Sequence, residues 1–165
     1  MRGCALAAQG KEDEGIAQMR QGTSAHMLGS HKPFLLTCFA EASGRIGNPD
    51  EGLTSLAEGM ALAEKIGTST EMAELHRLKG ELLLKLSPEN LVDAETCCSH
   101  ALDVARSQEA KSLELRAAMS LSRLWQQQGK NREARQLLAD TYGWFTEGFD
   151  TGDLQEAKVL LEELA

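Results

Sequence analysis

Cys97 and His100 stand three apart in Glu95-Thr-Cys-Cys-Ser-His100, a spacing that on a helix sets a thiol and an imidazole along one edge. Such a pair supplies two ligands to a metal, where a site needs three or four. The other histidines, His26, His31 and His76, are distant in sequence. Cys98 fits a small core position and Cys97 a helix flank. Nucleophilic chemistry by either cysteine needs a base and an orienting group, and no residue pattern specifies them. Acid–base work by a carboxylate pair such as Glu74 and Glu81 needs an apolar setting that the sequence does not mark; an ion-paired or solvated helix face is the simpler expectation. No Gly-x4-Gly-Lys-Ser/Thr, Gly-x-Gly-x-x-Gly, Gly-x-Ser-x-Gly or His-Glu-x-x-His pattern is present. The expectation is a non-catalytic chain with no metal and no cofactor.

The elements that must position these residues are helices. Among 165 residues there are only three prolines and 4% aromatics, with 42% apolar residues overall. Abundant Ala, Leu, Glu, Gln and Lys favour an all-α chain. The net charge of −8 lacks the concentrated basic face that a nucleic-acid binder needs. No run of eighteen apolar residues exists to span a membrane, and the first ten residues do not read as a signal peptide. Four poorly spaced cysteines fit reduced thiols and a cytoplasmic location.

Apolar spacing and breakers predict helices over about 2–9, 12–28, 33–46, 49–66, 70–86, 88–107, 110–128, 131–146 and 151–164. Asn48-Pro49-Asp50-Glu51 offers an N-cap, a proline in the first turn and a carboxylate three after the cap; Ser87-Pro88 follows the same logic, and Asp150 or Thr151 is placed to cap the last helix. One skeleton recurs: Gly15–Met19–Gly22, Gly52–Leu56–Gly59, Ala94–Cys98–Ala101 and Ala134–Leu138–Thr141. A further small residue precedes each. It lies 12 positions earlier for Gly3, Ala40 and Ser122, and 14 earlier for Gly80, where Ser87-Pro88-Glu89-Asn90 lengthens the turn. Turn glycines Gly10, Gly47 and Gly129 fall seven after the first small residue. Successive units are spaced by 37, 42 and 40 residues. Each is a pair of antiparallel helices that buries its faces only by stacking.

The order small–x2–bulky, turn Gly, small–x3–apolar–x2–small resembles the tetratricopeptide (TPR) repeat. It stands as Ser122-Arg-Leu-Trp125, Gly129, Ala134, Leu138 and Thr141 in one unit. The usual period is about 34 residues. The repeat is divergent, with a longer spacing and with Leu36, His76 and Ala118 where the pattern has its leading Trp. The fold implied is a superhelical alpha-alpha solenoid. It would form one domain over 1–165, with units at about 1–28, 33–66, 70–107 and 115–146 and a capping helix at 151–164. Ala73–Leu84, Leu115–Gly129 and Tyr142–Lys158 also resemble the helical C-terminal region of bacterial regulators that join a predicted ATPase to an adenylate/guanylate cyclase-type or LuxR-type output domain.

In TPR arrays the first helix of each unit lines a concave groove. The resemblance therefore implies groove positions Phe34, Thr37, Glu41 and Arg45, then Glu74, Arg77, Glu81 and Lys85, then Arg116, Met119, Arg123, Gln126 and Gln127. Arginine forks among them suit a peptide carboxylate or acidic side chain. Trp125 is expected in the core, and Tyr142, Trp144, Phe145 and Phe149 are expected to pack the last helix onto the stack. The function implied is a protein- or peptide-binding sensor region; the rival is a small-effector receptor that uses the groove arginines and the C-terminal aromatics. Because the first unit begins part-way through its leading helix, the apolar groups of Gly3–Leu6, Ile16, Met19 and Leu28 are expected to lack part of their cover and to favour a homodimer.

Overall fold

Within three helix pairs, small residues meet small residues at the crossing. The computed structural model describes residues 9, 11–23 and 31–165. Its helices are α1 (Glu12–Thr23), α2 (Lys32–Arg45), α3 (Pro49–Ile66), α4 (Met72–Leu86), α5 (Leu91–Ser107), α6 (Lys111–Gln127), α7 (Asn131–Tyr142) and α8 (Gly152–Glu163), with a 3-10 turn at Pro88–Asn90. No strand occurs among the described residues. The crossings bring together Ala40 with Gly52, Gly80 with Ala94 and Ser122 with Ala134. A Cβ on Gly52 would meet the Ala40 carbonyl oxygen at 3.0 Å and Leu82 Cδ1 at 2.6 Å. One on Gly80 would lie 2.9 Å from the Ala94 carbonyl oxygen and 2.7 Å from Cys98 Sγ. At the third crossing the Ser122 hydroxyl donates to the Ala134 carbonyl at 3.0 Å. In these three units the two small residues, 12 or 14 apart in sequence, are therefore the two sides of one close helix–helix contact.

Gly47 and Gly129 close their turns at φ of 80° and 75°, a left-handed conformation that favours glycine. In the unit without such a glycine, the Ser87 hydroxyl accepts from the Glu89 N–H at 3.2 Å, and Asn90 Nδ2 donates to the Leu83 carbonyl at 3.0 Å. The two additional residues are used in this 3-10 turn.

Consecutive helices pack on each other, and α2, α4, α6 and α8 also pack each on the next of that set. Helices α3, α5 and α7 make no comparable contacts among themselves. A stack tighter on one layer than on the other curves toward the tight layer, which makes this an all-α superhelical solenoid with α2, α4, α6 and α8 inside. Its apolar filling includes Ile16, Met19, Phe39 and Ala42, then Ala40, Leu56, Leu75, Leu78 and Leu82, then a larger group including Cys98, Leu115, Leu121 and Leu138. Helix α8 adds Leu154, Ala157 and Leu160 to the last group, as does Leu164 just after it, and the helix turns Gln155, Glu156, Lys158 and Glu162 outward. That distribution suits the end of a stack.

Several local expectations need correction. Asn48 does not cap α3 with its side chain. Its Nδ2 donates to Glu51 Oε2 at 2.8 Å, while Arg20 grips both Glu51 oxygens at 2.8 and 2.7 Å. The carboxylate is thus drawn into a tie from α1 to α3. Thr151 precedes α8 without a capping bond, because its hydroxyl turns back to the Gly148 carbonyl at 2.7 Å. The helix expected to reach 146 stops at Tyr142, where the chain turns so that Tyr142 and Phe145 pack on the core beneath α8. Trp144 and Phe149 remain 59% and 46% exposed. Trp125 is half-buried rather than core, its Nε1 reaching out to Glu95 Oε1 at 2.8 Å. Ile16 and Met19 are buried against α2, so they do not form the exposed apolar end expected of the first unit. Gly3–Leu6, Gly10 and Leu28 lie outside the described residues.

Candidate functional site

Residues three, four and seven apart on the inner helices share one face, and those faces meet in a cleft of about 460 Å³. Helix α2 contributes Glu41 and Arg45, and α4 contributes Glu74, Arg77 and Glu81. Helix α6 contributes Arg116, Met119, Ser120 and Arg123, and α8 contributes Asp153 and Glu156. At the centre, Arg77 is only 11% exposed. Its Nε and one terminal nitrogen donate to the two Glu74 oxygens at 2.8 and 2.6 Å, and its other terminal nitrogen donates to Glu81 Oε1 at 2.6 Å. The Ser120 hydroxyl, carried by α6, donates to the same Glu81 oxygen at 2.6 Å. Burial by itself would lower the Arg77 pKa; the hydrogen bonds of Glu74 and the charges of Glu81, Glu74 and Glu41 outweigh it and raise the pKa above the ordinary guanidinium value.

The rim is also paired. Arg45 donates to Glu41 at 2.6 Å, Arg116 to Asp153 at 2.7 Å, and Arg123 to Glu156 at 2.5 Å. Arg116 also lies 3.6 Å from Glu74. Pairs therefore tie α6 to α4 through Arg116 and Glu74 and to α8 through Arg116 with Asp153 and Arg123 with Glu156, while the Arg45–Glu41 pair lies within α2. Every arginine lining the cleft has an intramolecular carboxylate partner.

Of the groove positions inferred from the repeat, Glu41, Arg45, Glu74, Arg77, Glu81, Arg116, Met119 and Arg123 are brought together in this cleft. Lys85 and Gln127 line a separate 270 Å³ hollow with Leu84, Pro88 and Leu91, and Lys85 Nζ donates to the Gly44 carbonyl at 3.1 Å. Phe34 is exposed and lines neither; Thr37 is buried with its hydroxyl on the Pro33 carbonyl at 2.9 Å. Gln126 is half-buried outside the cleft lining. Ser120, Asp153 and Glu156 were not foreseen. Treating α8 as a further first helix, rather than only as a cap, puts its Asp153 and Glu156 in the groove row. Among the described residues no aromatic lines the cleft: Trp144 instead has Lys111 Nζ 5.5 Å from its ring centre.

On α4 and α5 the structure joins two histidines that lie far apart in sequence. The His76 and His100 rings lie 4.2 Å apart at 69°. Burial, then the charges of His100 and Lys79, lowers the His76 pKa to about 4. Burial holds Cys98 protonated, its pKa pushed up to about 12. Among the described residues no group of three or more His, Cys, Asp or Glu side chains is placed to hold a metal, and no helix is long and apolar enough to cross a membrane.

No protein-family model and no curated protein matches the chain. Solved structures do. The nearly identical TPR-like repeats of a kinesin light chain-type protein of Podosopora anserina superpose with a TM-score of 0.70 at 13% identity, over 98% of this chain and 81% of that one. A variant form of the same repeats gives 0.67 at 14% identity, over 98% and 89%. MamA gives 0.58 at 17% identity, over 98% and 91%. Such low identities speak for the fold alone, and the fold is that of a TPR-like helical-repeat protein.

Proposed function

We propose that the chain is a protein-interaction module that lays a partner's segment along the inner helices, with the charged cleft as its contact site. The observation that carries this is the cleft itself: side chains from α2, α4, α6 and α8 converge on one 460 Å³ depression, although the helices lie far apart in sequence. The partner-facing residues are those of the rim, Arg45, Glu41, Arg116, Arg123, Glu81 and Glu156, because Arg77 is committed to Glu74 and Glu81. The cleft volume also falls within the range of small-molecule sites, which is the basis for an effector-receptor alternative. The nearly all-charged lining without aromatics supports a protein segment over a compact metabolite.

In this proposal residues 1–165 form one domain of stacked units, working as the non-catalytic regulatory region of a larger bacterial cytoplasmic signalling protein of the ATPase and cyclase or LuxR type. A homodimer through the first unit is a separable part of it, which a clean monomer in light scattering at tens of micromolar would remove. Crosslinking through a photoreactive group placed at Arg123 or Glu41, with mass spectrometry of the captured protein, tests the cleft. Capture of the same protein from both positions, and not from Glu162 on the far side of α8, is the expected result. Equal capture from all three positions would remove the cleft from consideration.

A further inference from the structure

We infer that the segment held by the cleft is basic, a lysine- or arginine-bearing stretch of a partner protein whose cations seat on carboxylate oxygens of Glu41, Glu81 and Glu156. The inference rests on the cleft being the partner site and reverses the preference for acidic segments that a row of arginines suggests. Five carboxylates and four guanidinium groups line the cleft. The unmatched negative charge lies at the centre, where Glu74 and Glu81 share Arg77 and the charge of Glu41 acts on the same guanidinium. The one deeply placed arginine is therefore already saturated with carboxylates.

The acids retain capacity toward solvent. Glu41, Glu81 and Glu156 each give one oxygen to their intramolecular donors and have no described bond at the other. Their side chains are 43%, 34% and 57% exposed. A lysine ammonium, with three donors on a compact charge, can bridge such oxygens without breaking an existing pair. An incoming carboxylate would have to compete with an intramolecular acid for each arginine, inside a cleft of net negative charge. The chain's overall charge of −8 also draws a cation in and repels an anion at long range.

The test uses the full chain and two fluorescein-labelled peptides of equal length, one alternating lysine with serine and one alternating glutamate with serine, followed by anisotropy. The lysine peptide should bind more tightly. Glu41→Gln and Glu156→Gln should each weaken it by about threefold, while Glu162→Gln with Glu163→Gln, outside the cleft, should leave it unchanged. Arg123→Gln is the discriminating variant: by releasing Glu156 it should tighten the lysine peptide, whereas an arginine clamp for acids would lose its ligand. Tighter binding of the glutamate peptide, lost in Arg123→Gln, would overturn the basic preference and leave the cleft as the partner site. Lysine-peptide binding that responds equally to changes inside and outside the cleft, or no binding of either peptide, would overturn both.

Discussion

The crossings within a helix pair and the cleft that runs between pairs hold helices together by opposite means. At Gly80 the backbones of α4 and α5 come so close that not even a methyl group fits. At Arg77, three positions earlier on α4, the guanidinium is held by Glu74 and Glu81 of its own helix, and α6 joins this group through Ser120 on Glu81 and Arg116 beside Glu74. The first contact is fixed by shape and has no freedom to adapt. The second is polar and is fixed by charge and hydrogen-bond direction, with one carboxylate oxygen of Glu81 left toward solvent. A repeat protein that keeps its units rigid while offering a surface to other chains needs both, and here one helix carries them on neighbouring faces.

If the cleft charges were surface decoration, removing Arg77 would cost no more than removing a rim arginine. Because Glu74 and Glu81 would lose their shared cation, Arg77→Ala should instead lower unfolding free energy by about 3 kcal/mol in urea titrations. On the other side of the comparison, Gly80→Ala should cost about 2 kcal/mol as α5 is forced away. Gly152→Ala, with open space around the added carbon, should change stability by no more than about 0.5 kcal/mol. Equal melting points for the two glycine variants would show that the crossing is not tight.

Acid should act on the α4–α5 seam through His76. Its pKa is about 4 in the folded chain, against an ordinary value of 6.5. Between those values the unfolded chain binds a proton that the folded chain refuses. Stability from this group is therefore complete above pH 6.5 and is lost as pH falls toward 4. His76→Gln should flatten the pH dependence over that window in denaturant titrations. The smallest effect belongs to the rim: Arg123→Gln should shift stability by less than about 0.5 kcal/mol, and added salt should shrink even that. A larger, salt-resistant loss would mean that the rim is structural in the way Arg77 is.

Much of the fold was legible because its determinants are local. Apolar periodicity marked the helices, Gly47 and Gly129 marked turns that need a left-handed residue, and the doubled small residues marked the crossings before their partners were known. The cleft was legible only by register. Repeat spacing places Glu41, Arg77 and Arg123 on equivalent faces, but α8 departs from the pattern, so Asp153 and Glu156 were assigned to a cap. Local signals also failed where a distant group took part, as at Asn48, whose side chain makes no capping bond to α3 and instead donates its amide nitrogen to the Glu51 carboxylate that Arg20 also holds.

What the sequence determined by itself is the list of helices and the positions where two of them can touch, since 3.6-residue periodicity, glycine φ and side-chain volume are properties of the chain in its own neighbourhood. The i,i+3 and i,i+4 pairs of Arg45 and Arg77 follow from helix spacing; only the tertiary structure decided which charges meet across helices. Arginines that look like a ready clamp for an acidic ligand are each satisfied by a carboxylate from their own or a neighbouring helix. An ion pair depends on angstrom-scale distances between residues as far apart as Arg116 and Asp153, and no spacing along the chain specifies those distances.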